Sequence, residues 1–109
     1  MNAPDPNAFS LDINDPEDAE LIEYFLSELP TRVDTIMAAF TNDDYQGLAR
    51  IAHQLKGAAP GFGFPQIGVQ AAKLEQQIKG VADPTESLET LRSEVDQLVS
   101  LCNSYINPA

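Results

Sequence analysis

His53 is the only histidine among the 109 residues, and Lys56, one of three lysines, follows it in the stretch "AHQLKGAAPGFGF" from Ala52 to Phe64. A neutral imidazole near physiological pH is both a nucleophile and a base. An ammonium three residues further along a helix can reach an anion attached to the ring. Other chemistries lack their residues. There is no second histidine, and the single cysteine, Cys102, has no Cys or His nearby in sequence, so no metal site is expected. The six serines include no G-x-S-x-G elbow. The glycines of "KGAAPGFG" follow the lysine instead of preceding it, which is not the order of a phosphate-binding P-loop. An exposed histidine followed by a lysine is also what an ordinary solvated helix face supplies, so the residues alone leave both readings open.

These side chains need a helix to hold them. The segment "TNDDYQGL" offers Asp43 as a cap with Gln46 three residues on, a capping-box spacing that opens a helix running to about Ala59. At 100° per residue, Ile51, Ala52, Leu55, Ala58 and Ala59 fall within roughly 80° of Leu48 and form the buried stripe. His53 falls at about 140° on the same wheel, with Gln46 and Arg50 among its neighbours, and faces solvent. One turn away along its own face stand Ala49 and Gly57, which leave the imidazole little steric cover. A glycine inside a helix costs about 1 kcal/mol relative to alanine. At Gly57 it keeps the approach to the ring open, or else lets two helices pack closely.

The remaining elements are helical too. Asn14 or Asp15, followed by Pro16 and acidic residues, starts an N-terminal helix with apolar positions Leu21, Ile22, Phe25, Leu26 and Leu29. Pro30 interrupts it before Val33, Ile36, Met37 and Phe40 resume the period, so two helices or one kinked helix are expected. Pro60, Gly61 and Gly63 make a turn, and Pro65 opens a helix over roughly 65 to 79 that Gly80 ends. A cap at Asp83 to Glu86 precedes a last helix carrying Leu88, Leu91, Val95, Leu98, Leu101 and Tyr105 or Ile106. No window alternates like a strand. The expected fold is all-α: an antiparallel four-helix bundle with a short or kinked additional N-terminal helix. Residues 1–14 read as a tail and 15–106 as one domain.

Seventeen acidic against six basic residues give a net charge of -11, which makes nucleic acid and anionic membrane surfaces poor partners. There is no apolar run of signal or membrane-span type, and one lone cysteine fits a reducing compartment, so a cytoplasmic location is expected.

The stretch from His53 resembles the signature of histidine phosphotransfer (HPt) domains, His-x-Leu-Lys-Gly followed by a glycine ten residues after the histidine. Here those residues are His53, Leu55, Lys56, Gly57 and Gly63. Leu74 and Glu75 are also similar to the family, which often carries Glu or Gln twenty-two residues after the histidine. "FLSELPTRV" is similar to the segment upstream of the histidine helix, and the likeness covers roughly residues 15 to 105. Ala58 and Ala59 stand where many members have serines.

The resemblance implies a phosphocarrier, not an ATP-using enzyme. His53 would accept a phosphoryl group from a receiver-domain aspartate or a kinase and pass it to a response-regulator aspartate. Lys56 would stabilise the phosphate, Glu75 would orient the imidazole, and Ala49 and Gly57 would lie in the partner-binding face. Glu75 sits about 70° from the Ile67, Leu74 and Ile78 stripe, at an edge between core and solvent where a merely solvated carboxylate is equally at home. The implied partners are receiver domains and a sensor or hybrid histidine kinase, with the chain a monomer. No cofactor is expected on this chain, while Mg²⁺ is expected on the receiver. The alternative is a non-catalytic helical adaptor that binds a receiver or other signalling protein without carrying phosphate.

Overall fold

The structure, a computed structural model, describes residues 11–80 and 88–107. It contains four helices, α1 (Pro16–Thr41), α2 (Tyr45–Ala58), α3 (Pro65–Lys79) and α4 (Leu88–Ile106). Among the described residues there is no strand, and no helix is long and apolar enough to cross a membrane. The capping signal expected at Asp83 to Glu86 and most of the expected tail lie outside the described residues.

Asp15 is the cap of α1, its Oδ1 accepting from the Glu17 and Asp18 amides at 2.9 and 3.4 Å. The helix then continues for 26 residues with Pro30 inside it, so the two N-terminal segments are one element and no separate additional helix occurs among the described residues. Pro30 removes one backbone donor, but its ring is exposed and water can bond the carbonyl it frees. Burial of Ile22, Phe25, Leu29, Val33 and Ile36 continues across it without a break in spacing. Packing of that stripe outweighs the local penalty. Leu21 and Met37, which share the apolar period, are about half exposed, at 50% and 52%.

Between α1 and α2 the chain reverses at Asp43, whose φ of 56° is left-handed, a conformation that Asp tolerates better than most residues. The Asp44 amide returns to the Ala39 carbonyl at 2.8 Å. Asp44, not Asp43, therefore caps α2, its Oδ1 accepting from the Gly47 amide at 2.9 Å. The expected cap is one residue early because Asp43 is spent on the reversal.

Each helix packs mainly on two neighbours, α1 on α2 and α4, and α3 on α2 and α4. Opposite ends meet: the start of α3 reaches the end of α4 through Phe64 and Tyr105, and the end of α1 reaches the start of α4 through Phe40 and Arg92. The neighbours are thus antiparallel, as expected of a four-helix bundle. Leu29, Ile36, Leu48, Leu55, Ile67, Leu74, Leu91, Leu98 and Cys102 are the large fully buried side chains. Burial pushes the Cys102 thiol up to about 11.

The turn between α2 and α3 is fixed by rings. Phe62 stacks on Phe25 with centroids 4.8 Å apart, and Phe64 lies between Phe25 at 5.5 Å and Tyr105 at 4.8 Å. Both phenylalanines are half-buried and pack against the core. Gly63, at φ 95°, supplies the backbone shape the turn needs. Gly68 lets α3 close on the turn, since a Cβ there would stand 2.7 Å from Pro60 Cγ.

Candidate functional site

Helix α2 presents its polar face as the wheel predicts. Leu48, Ile51, Ala52, Leu55 and Ala59 are buried, Ala58 is half-buried, and His53 is outward with 65% of its side chain exposed. Gly57, four residues on, is exposed, and a Cβ built there meets nothing within 4 Å. Ala49, four residues back, is half-buried against the core and offers a low, small surface beside the ring.

Glu75 stands opposite on α3. Its Oε2 lies 2.8 Å from His53 Nδ1, while Lys56 Nζ donates to Oε1 at 2.7 Å and Lys79 Nζ donates to Oε2 at 3.0 Å. Only 6% of the Glu75 side chain is exposed. The carboxylate expected at the edge between core and solvent is buried, because these three side chains roof it over. The Lys56 and Lys79 ammoniums hold its carboxyl at about 2, below the ordinary 4.5, against a burial cost acting in the other direction.

That ionisation settles the ring. A carboxylate only accepts hydrogen bonds, so Nδ1 must carry the proton it donates to Glu75. In the neutral imidazole Nε2 then holds the lone pair, on the side of the ring away from Glu75 and towards solvent. Glu75 is also placed to compensate positive charge arising on the ring. Lys56 differs from expectation in one respect: its ammonium rests on Glu75 instead of standing free beside the imidazole. The buried carboxylate is the nearest anion and binds it.

Sequence reasoning brought His53, Lys56 and Glu75 to one place and passed over Lys79. The signal for Lys79 was present, since it lies four residues after Glu75 on the same helix and closes an i,i+4 ion pair. Among the described residues no group of three or more His, Cys, Asp or Glu side chains could hold a metal ion. A surface groove between α3 and α4, beside Gln70, Arg92 and Asp96, is lined by no member of this cluster.

Fold and site together define a helical bundle that displays one oriented imidazole, with a lone pair free and a buried counter-charge behind it. The family model for the Hpt domain matches residues 20–101, and the chain belongs to the Hpt domain family. Comparison with curated proteins and with solved structures gave no significant match. Hpt domains are phosphocarriers of signalling phosphorelays, not enzymes in the usual sense.

Proposed function

We propose that this chain carries a phosphoryl group on His53 between receiver-domain aspartates, or from a kinase to a response regulator, in a two-component phosphorelay. The observation that supports this most is the Glu75 carboxylate on His53 Nδ1, which leaves Nε2 as the attacking atom. In the forward step Nε2 forms a bond to phosphorus, the bond from phosphorus to the aspartyl oxygen breaks, and the aspartate leaves as a carboxylate. The ring becomes cationic and keeps its Nδ1 proton against Glu75, which makes it a good leaving group for the return transfer.

Lys56 is the residue assigned to the phosphoryl oxygens. Its side chain is 41% exposed, so it can turn from Glu75 towards an anion on the ring while Lys79 and the charged ring continue to hold the carboxylate. Transfer then needs little beyond positioning and charge neutralisation. Gly57 and Ala49 form the low ground over which a receiver approaches. The receiver is expected to bring Mg²⁺, which has no part in this chain's own residues.

Incubation with a phosphorylated receiver panel tests the reading. The expected product is a phosphoramidate, lost in acid and stable in alkali, absent in His53→Gln while that variant stays folded to within about 1 kcal/mol. Binding to a receiver with no phosphate on His53 would establish the adaptor instead.

A further inference from the structure

Gly68 lies near the start of α3, where alanine would favour the helix more, yet it is buried and faces the end of α2. A Cβ at this position would stand 2.7 Å from Pro60 Cγ, 3.0 Å from Pro60 Cδ and 3.5 Å from the Lys56 carbonyl oxygen. Carbon atoms rest at about 3.5–4.0 Å, so the two Pro60 distances admit no methyl group. Both atoms belong to a closed ring, which cannot swing aside as the end of a flexible side chain would. The backbone of α3 therefore rests against Pro60 as against a stop.

This stop shares its register with the site. The chain keeps helical geometry through the cap of α2, Ala59, at φ -59° and ψ -43°, and α3 runs antiparallel to it. From His53 to Pro60 and from Gly68 to Glu75 are seven residues each, two turns or about 10 Å of helix. Seven residues turn through about 700°, so Gly68 and Glu75 project from α3 within about 20° of each other. Pro60–Gly68 and His53–Glu75 are thus two rungs of one ladder. Ala71, fully buried, and Ala72, half-buried, keep that side of α3 low between them.

The upper rung has little slack. Glu75 Oε2 lies 2.8 Å from His53 Nδ1, and a contact stretched to about 3.6 Å is no longer a hydrogen bond. Relieving a 2.7 Å clash at Gly68 requires α3 to move by about 1 Å. Carried two turns along a stiff helix, that movement is enough to part Glu75 from the ring.

Building on the phosphocarrier reading, we propose that Gly68 and Pro60 are positioning residues for phosphoryl transfer: their contact sets the separation of α2 and α3 at which Glu75 reaches His53 Nδ1 and fixes the tautomer. They stand two turns from the imidazole and act on it through the helix backbone.

Nitrogen NMR of His53 reads this contact before any phosphate is present. Gly68→Ala should lower the fraction of rings carrying the proton on Nδ1, and Pro60→Ala, which removes the stop, should lower it as well. Pro60→Ala/Gly68→Ala should restore it, because the new methyl fills the place of the lost ring atoms. The phosphoramidate anion supplies a partner-free rate: the bond from Nε2 to phosphorus forms as the P–N bond breaks and ammonia leaves. That rate should fall about three-fold or more in each single variant and recover in the pair. Val95→Ala, a core truncation on α4, measures instability alone, and should lower the melting temperature while leaving the tautomer as in wild type. Where Gly68→Ala is unfolded, Pro60→Ala carries the test. A wild-type tautomer in the folded single variants, no recovery in the pair, or an equal shift in Val95→Ala overturns this inference and leaves the phosphocarrier reading intact. Failure of wild type to form phosphohistidine overturns both.

Discussion

His53 and Glu75, twenty-two residues apart in sequence, stand level across the α2–α3 interface with Nδ1 2.8 Å from Oε2. The pairing joins an exposed nucleophile to a buried anion, so the reactive group faces solvent while its electronic control lies inside. The two lysines on the same carboxylate make that burial tolerable, since an unpaired charge there would cost several kcal/mol.

The first expectation concerns the tautomer. Nitrogen NMR of the single imidazole should show a ring protonated at Nδ1 and unprotonated at Nε2 in neutral to alkaline solution. Glu75→Ala should move it towards the opposite form and slow phosphoryl transfer about ten-fold or more. An unchanged tautomer ratio would detach Glu75 from the site.

Acid should weaken the bundle through the same carboxylate. With its folded value near 2 and its ordinary value 4.5, Glu75 contributes stability that is complete above about 4.5 and is lost as pH falls through 2. Because its partners are 41% to 65% exposed and water screens them, the contribution is on the order of 1–2 kcal/mol. Melting curves of wild type and Glu75→Gln between pH 5 and pH 2 should converge as the acid limit is approached. Parallel curves would contradict this.

Lys56→Ala should shorten the phosphohistidine lifetime and slow transfer several-fold. It should also lower stability by about 1 kcal/mol, because a buried carboxylate loses one of three donors. Transfer kinetics like those of wild type would return Lys56 to a purely structural role.

Two glycines should respond in opposite ways to the same change. Gly57→Ala places a methyl group in open space and should raise stability by about 1 kcal/mol, whereas Gly57→Leu should keep the fold and impair receiver docking. Gly68→Ala drives a methyl into the Pro60 ring and should cost about 1–3 kcal/mol despite better helix propensity. Thermal denaturation compares the alanine variants, and a calorimetric titration with a receiver reads the leucine variant.

Much of α2 was legible because one helical period fixes the direction of every side chain on it: the burial of Leu48 and Leu55 and the exposure of His53 follow from spacing alone. Helix α3 was similarly bounded by Pro65 and Gly80. Pro30 misleads because a local penalty says nothing about the tertiary stripe that outweighs it. The cap moved from Asp43 to Asp44 because one residue was needed for a left-handed reversal, which composition does not reveal. Burial of Glu75 was hidden for a different reason: it depends on cations delivered from two helices, Lys56 from α2 and Lys79 from α3, and only the packed structure brings them to one carboxylate. The shared role of Phe62 and Phe64 likewise depends on Phe25 and Tyr105 approaching from α1 and α4.

Cys102 gives the molecule its own unfolding reporter. It is the sole thiol in the sequence, it is fully buried in α4, and its proton is held up to about 11. A disulfide-exchange dye can therefore label it only in the fraction of molecules whose bundle has opened. Labelling rates in native buffer would rank the opening equilibria of all the variants above, without an engineered cysteine and without disturbing the phosphoacceptor face.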